Sequence, residues 1–294
     1  MRRPGGFPFV FGHAADWNTH MQLANARVWL TGASSGIGEA LVAPLVRKGA
    51  QVAITARRSG RLETIAARYA AGGASTVLAV PGDVTDRAAV IVAARQIERA
   101  WGGIDLAIFN AGGSVDHDRQ SEAEGGEPFL SNSYTATMAL NYFSVVYGIE
   151  AVLPDMLARG SGHIAAVASL AGYRPSASLP YGVSKAAVIY LMNGLRFEVA
   201  PRGLGVTVIN PGFVKTPLTE RNRFHMPFLL EASDAAERIV RGLERGKKEI
   251  HFPAPLSWAM KMLRIAPYPL YERIMTRFLR RARAAAAAAA APRR

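Results

Sequence analysis

From Arg27 onward the chain alternates between short apolar runs and mixed stretches of a dozen or more residues, and that alternation leaves few folds open. The apolar runs cover 28–31, 52–55, 76–80, 106–109, 163–168 and 206–209. Each is short, continuous and predominantly apolar, the pattern of a strand buried on both faces. Such strands need helices on both sides of their sheet, and the intervening stretches can supply them. A seventh run, 249–252, follows a stretch with Ser233 as candidate N-cap and Asp234 in its first turn. Residues 25–254 therefore read as one doubly wound α/β domain with a parallel sheet of about seven strands. No internal repeat or linker interrupts it.

Two flanks differ from this body. Residues 1–24 mix Gly, Pro and aromatics without a period. They read either as an arm, ordered or not, or as sequence upstream of a true start at Met21. Residues 255–294 form a tail in which Pro253, Pro255, Pro267 and Pro269 break up a Trp/Met-rich segment and a basic helix. An alanine run, 284–291, reads as a frayed helical end.

Charge and composition narrow the function. The 294 residues carry a net charge of +13. Residues 260–294 hold +8 of it, nine Lys and Arg against Glu272, which leaves +5 for the rest. A nucleic-acid-binding face on the main domain is not expected. There are no cysteines, so disulfides, thiolate metal sites and cysteine nucleophiles are excluded, and a reducing cytosol is compatible. The expected location is cytoplasmic, with the tail able to sit peripherally at the inner face of a membrane. No uninterrupted apolar run reaches the ~18 residues of a membrane span. Six scattered histidines (13, 20, 117, 163, 225, 251) have no ligand spacing, so no metal site is read.

The first strand leads into Thr31-Gly32-Ala33-Ser34-Ser35-Gly36-Ile37-Gly38, which then opens a helix. Glycine is wanted there for a tight turn, for close backbone approach to a pyrophosphate, and for helix–strand contact. The helix N-terminus adds amide donors for phosphate. A structural turn would carry the same glycines; the position between strand and helix is what points to a dinucleotide. After the second strand comes Arg57-Arg58, with no acid to bind a ribose 2′-hydroxyl. A guanidinium suits a 2′-phosphate, so NADP is expected ahead of NAD, unless the two arginines are merely a solvated helix start.

Tyr181 and Lys185 stand at i and i+4, neighbours on one helix face. A phenol ordinarily titrates near ~10, and a nearby ammonium together with an oxidised nicotinamide would lower that value. Ser169, at the end of the fifth strand, can hydrogen-bond a substrate carbonyl. A lone Tyr-x-x-x-Lys is a chance pattern; with Ser169 and the glycine turn it is not.

These motifs resemble the short-chain dehydrogenase/reductase family, an NAD(P)-binding Rossmann fold, and they run in the family's order over 27–252. The resemblance implies Tyr181 as general acid/base, Lys185 as the group that lowers its pKa and holds the nicotinamide ribose, and Ser169 as the carbonyl-orienting hydroxyl. It implies Asn141 as a fourth member that positions a relay water, where a helix-interior amide at a kink is the alternative. It implies Gly32, Ser34, Ser35, Gly36, Ile37 and Gly38 at the phosphates, and Asp83 and Val84 at the adenine. Asn110, Ala111 and Gly112 would line the cofactor, and Pro211, Gly212 and Thr216 the nicotinamide. Phe109 departs from the commonest motif, which has a second Asn there; strand packing should feel that. Ser184 and Tyr142 are read as packing residues.

The expected function is NADP(H)-dependent interconversion of a ketone or aldehyde and its alcohol. The alternative is a non-catalytic NADP-binding regulatory or tethering protein on the same fold, which would be expected to lack Tyr181 or Lys185. Segment 213–231 carries Phe213, Leu218, Phe224, Met226, Phe228, Leu229 and Leu230. Such a lid suits an apolar substrate such as a 3-ketosphinganine, a 3-oxoacyl chain or a steroid, although a lid packed on its own core would have the same composition. The helices holding Asn141 and Tyr181 are apolar on more than one face (Val145, Val146, Ile149, Val152; Val188, Ile189, Leu191, Met192), so a homodimer or homotetramer is expected. In the tail, Leu270, Tyr271, Ile274, Met275, Phe278, Leu279 and Ala282 make one helical stripe flanked by arginines. It would pack on the domain or a second subunit, or make peripheral membrane contact through 255–283.

Overall fold

Seven parallel strands form one sheet in the order β3-β2-β1-β4-β5-β6-β7. They are β1 (Arg27–Thr31), β2 (Gln51–Thr55), β3 (Val77–Ala79), β4 (Leu106–Phe109), β5 (Gly162–Val167), β6 (Leu204–Pro211) and β7 (Glu249–Phe252). Each begins and ends within two residues of its apolar run. The structure is a computed structural model that describes residues 20–70, 76–115, 131–175, 178–220 and 226–290, with side chains up to Phe278 and at Arg280. Residues 1–19, which carry the start-site and arm readings, lie outside the described residues, as do His13, His117, Phe224 and His225.

The helices are α1 (Gly36–Arg47), α2 (Ser59–Ala67), α3 (Arg87–Trp101), α4 (Ser131–Met138), α5 (Ser144–Arg159), α6 (Leu179–Val199), α7 (Ala232–Glu244), α8 (Ala254–Ile265) and α9 (Tyr268–Ala290). Asp86 starts α3 by accepting from the N–H groups of Ala88 and Ala89, and Gly102 at φ 77° ends it. The cap of α7 is Glu231, whose side chain makes no cap bond; the expected Ser233 lies inside the first turn.

Alternate residues of each strand feed two cores, one on each face of the sheet. Val28, Leu30, Val52 and Ile54 pack beneath α1 and α7 residues, while Trp29, Ala107, Phe109 and Ile164 pack beneath α3, α5 and α6. Phe109 shows what its substitution for a second Asn does: its ring meets Trp29 edge-on at 5.8 Å and occupies the space a Cβ on Gly148 would need. The run 131–159 is long and apolar enough, by length and composition, to cross a membrane, although no uninterrupted apolar run within it reaches ~18 residues. Here Val145, Ile149, Val152 and Met156 are buried in the core.

His163 is buried in β5, with Nε2 at 2.9 Å from Thr207 Oγ1. Burial, with the charge of Arg196, pushes its pKa down to about 4. The unfolded chain therefore binds a proton the folded chain refuses between about pH 6.5 and 4, and stability falls as pH drops through that window. The shift amounts to about 3 kcal/mol. Denaturation midpoints taken across this range should fall more steeply in the parent than in His163→Gln; parallel curves would mean that His163 contributes nothing.

Candidate active site

β1 leads outward to β2 and β3 on one side, while β4 lies on its other side. Loops leaving the carboxyl ends of β1 and β4 therefore diverge and open a crevice between them. The glycine turn leaves β1 there. Gly32 and Gly36 take φ of 69° and 59°, values that strain any residue with a side chain. Gly38 is needed for space: a Cβ on it would lie 2.2 Å from Gly32 O and 2.4 Å from Asn110 Nδ2.

Asn110 explains the crowding. Its Nδ2 donates to Thr31 O (3.1 Å) and Gly32 O (3.2 Å), and Thr31 Oγ1 accepts from the N–H groups of Asn110 (3.1 Å) and Ala111 (3.2 Å). The residue braces the glycine turn across the β1–β4 seam. Ser35 is the N-cap of α1 but its side chain makes no cap bond. The first-turn amides are left without a side-chain acceptor beside a wall formed by Ser34, Ser35, Gly36 and Ile37.

The cavity over this turn holds about 370 Å³. Gly32, Arg57, Arg58, Val84, Asn110, Ala111, Gly112, Ser169, Tyr181, Lys185, Pro211, Gly212 and Thr216 also line it. Thr216 comes within 3.1 Å of where a Cβ on Gly36 would be, so the loop after β6 closes over the glycine turn. Three residues singled out by sequence stand behind the wall. Gly38 spaces α1; Asp83 accepts from the N–H and Oγ1 of Thr85 at 2.9 and 2.8 Å; Asn141 lies beneath Gly112. The two arginines divide. Arg58 donates to Ser34 O (3.1 Å) and Ser34 Oγ (2.9 Å), whereas the Arg57 charge acts on the Asp83 carboxyl.

Tyr181 and Lys185 stand one turn apart on α6. Lys185 is buried, its Nζ donating to Val167 O at 2.8 Å, and burial pushes its pKa down to about 8. Burial raises the Tyr181 phenol above its ordinary value, and its hydrogen bond with Ser169 pulls the other way. The lowering expected from the ammonium is not found in the protein alone: burial dominates, and the opposing pull comes from Ser169. Ser169 caps the short 3₁₀ turn Leu170–Gly172, accepting from Ala171 N–H at 3.1 Å, with Pro211 O at 3.4 Å.

Asn141 sits in a π-helical turn, Ala139–Phe143, that joins α4 to α5. It is fully buried. Its Nδ2 donates to Gly113 O (2.9 Å) and Ser184 Oγ (2.8 Å), and its Oδ1 accepts from Gly113 N–H (2.8 Å). Ser184, read from sequence as a packing residue, is corrected here. It accepts from Asn141 and donates to Tyr181 O at 2.8 Å, tying the π turn to α6. Tyr142 does pack against the core. Gly172 was also missed: a Cβ there would meet the Lys185 carbonyl carbon at 2.7 Å, so only glycine lets the 3₁₀ turn lie this close to α6.

A dinucleotide fits these residues on three grounds. The α1 amides lack a side-chain acceptor, the glycine positions exclude a Cβ, and a cleft runs from Arg57 to Tyr181. Over the crevice, a bridge between Val214 and Leu230 pins segment 213–231. Leu218 reaches the cavity and Phe228 and Leu229 are exposed, while Leu230 packs against the core, so the segment divides between the two readings. Among the described residues no three His, Cys, Asp or Glu side chains converge as a metal site would require.

A family model described as short chain dehydrogenase matches residues 26–226. An uncharacterized oxidoreductase of Myxococcus xanthus (strain DK1622) is 37% identical over 245 residues, covering 83% of this chain and 93% of its own. Among solved structures, a short chain dehydrogenase from Burkholderia cenocepacia J2315 in complex with NADP is 29% identical, with a TM-score of 0.63 over 79% of this chain and 96% of that one. A short chain dehydrogenase/reductase from Burkholderia phymatum in complex with NAD shares the fold, with a TM-score of 0.71 at 22% identity over 82% of this chain and 93% of that one.

Proposed function

Because this chain belongs to the short chain dehydrogenase family and is one of its oxidoreductases, we propose that it interconverts a ketone or aldehyde and the corresponding alcohol with NADP(H). The observation that carries the reading is the meeting of Ser169, Tyr181 and Lys185 in one cavity with the glycine turn. When bound, the nicotinamide supplies or accepts the hydride. The chain does the rest. Tyr181 exchanges a proton with the substrate oxygen, and Ser169 orients that oxygen. Ser169 Oγ accepts from Ala171 N–H and donates to Pro211 O over a long 3.4 Å, a contact it can exchange for a substrate oxygen. Lys185, near 5.7 Å from the Tyr181 ring centre, supplies the positive charge that a phenolate needs. Both donors of the Asn141 amide are committed to Gly113 and Ser184. Contact with a relay water is left to the main-chain carbonyl of Asn141 or the remaining lone pair on its Oδ1. Leu218 in the wall, with Phe228 and Leu229 exposed on the same segment, favours an apolar substrate. A panel of ketones and aldehydes, including long-chain β-keto compounds, assayed with each cofactor, tests the reading; no turnover with any pair would reject it.

The NADP preference rests on Arg57 and Arg58 and on the absence of an acid after β2. Arg58 is already held by Ser34, so Arg57 is the freer of the two to meet a 2′-phosphate. Arg57→Ala should weaken NADPH by about 2 kcal/mol, the size of a charge-assisted bond, and leave NADH nearly unchanged. Titration with both cofactors checks this; equal losses would make Arg57 a structural residue.

Self-association is the remaining part of the proposal, and the structure corrects its basis. Val145, Ile149, Val152, Val188, Ile189 and Met192 are buried in the protein's own core. The exposed stripe is instead Val183, Tyr190 and Phe197 on α6, with Phe143 at the end of the π turn. Rings exposed at that spacing suit a helix pair across a two-fold axis. Light scattering should give an oligomer at micromolar concentration that Tyr190→Glu with Phe197→Glu converts to monomer; a monomeric parent would refute it.

A further inference from the structure

The C-terminal helices are fixed to the body from beneath and left apolar above. Lys261 Nζ donates to Glu249 Oε2 at 2.8 Å, and His251 Nδ1 lies 2.8 Å from the buried Ser257 hydroxyl. Arg174 donates to Arg264 O at 2.8 Å and lies 4.6 Å from the Tyr271 ring centre. With α8 and α9 so docked, Trp258, Met262, Ile265 and Tyr268 remain 59–74% exposed, and Leu270, Ile274 and Phe278 continue the strip along α9. Of the expected amphipathic stripe, Tyr271 alone among the described side chains is buried.

A second feature adjoins this strip. Arg238, Arg241, Arg245 and Lys247 line a cavity of about 310 Å³ between α7 and the edge strand β7, with His251 and Ala254 on its far side. Its one carboxylate, Glu249, is already engaged by Lys261, Tyr173 and Asn210. The pocket and the strip meet where His251 contacts Trp258 edge-on at 6.0 Å.

We propose that this continuous face, basic pocket and apolar helix pair together, docks on an anionic phospholipid bilayer. Aliphatic and aromatic side chains beside a cluster of cations match an interface whose headgroups are negative and whose next layer is hydrocarbon. A second copy of the chain is disfavoured as occupant, since pairing two copies of this face would bury two arginine clusters in one interface while the carboxylate of the pocket, Glu249, is already engaged. Nucleic acid would leave Met262, Ile265 and Leu270 nothing to gain, because a base stacks on rings. The inference does not depend on the reductase reading.

Co-sedimentation of the full chain with vesicles tests it, comparing phosphatidylcholine alone with phosphatidylcholine containing about a quarter phosphatidylglycerol. Binding is expected on the anionic vesicles only, and should weaken at high salt. Arg241→Glu with Arg245→Glu, and separately Trp258→Glu with Met262→Glu, should each lower partitioning roughly tenfold or more. Val92→Glu, exposed on α3, should not. In the unaltered protein, tryptophan emission should shift to shorter wavelength on anionic vesicles, and the shift should shrink in Trp258→Phe. Equal binding to neutral vesicles, no binding to either, or binding that survives both double variants would overturn the proposal. So would self-association without lipid that the Trp258/Met262 variant abolishes.

Discussion

Tyr181→Phe should lower turnover by roughly 10²–10⁴-fold, the range that a positioned general acid supplies. Cofactor affinity should change little, because the ring and the Lys185 contact with Val167 O remain. Stability should also hold within ~1 kcal/mol, since only the hydrogen bond with Ser169 is lost. Tyr173→Phe is the matching control. That phenol is also buried, is bound by Glu249, and is held far above its ordinary pKa by burial and the neighbouring carboxylate. It does not line the cavity. Its loss should cost about 1 kcal/mol of stability and leave turnover intact. Steady-state rates, cofactor titration and melting on the two variants separate chemistry from packing; unchanged turnover in Tyr181→Phe would remove the acid–base assignment.

Gly38→Ala should have a large structural effect for a single methyl group. The new Cβ would fall 2.2 Å from Gly32 O, a backbone atom that cannot swing aside. Either α1 lifts from the sheet or the Asn110 brace breaks, and each displaces the phosphate-facing amides. A loss on the order of 3 kcal/mol is expected from overpacking against fixed backbone, with dinucleotide affinity reduced far more than stability. Gly60→Ala runs the other way. Nothing lies within 4 Å of its Cβ, and α2 should gain up to about 1 kcal/mol. Melting curves of the pair decide the matter: a Gly38→Ala protein as stable as its parent would mean the turn is not held as described.

The strands were legible because helices on both faces keep them predominantly apolar, and Phe109, Ile164 and Val208 are all buried as such runs require. The glycine turn and Tyr181–Lys185 were legible because each is local, a few residues apart in sequence. Ser184 was not. Its partner Asn141 lies 43 residues away, and the bond depends on how α6 is rotated about its axis. The same rotation decides that Val188 and Met192 face inward while Tyr190 and Phe197 face out, which a helix rich in apolar residues all round does not reveal. The basic pocket escaped notice because Arg238 and Arg241 come from one helix, Arg245 from its C-cap and His251 from an edge strand.

The π turn at 139–143 is, in effect, an α-helix carrying one residue too many. Removing that residue would restore an unbroken hydrogen-bond ladder and swing everything before or after it by about a third of a turn. Asn141 would then leave Gly113 and Ser184. Selection for heat resistance alone pushes towards the regular helix, and selection for turnover towards the irregular one. An engineering campaign on this scaffold should therefore hold the length of 131–159 constant and seek its added stability elsewhere.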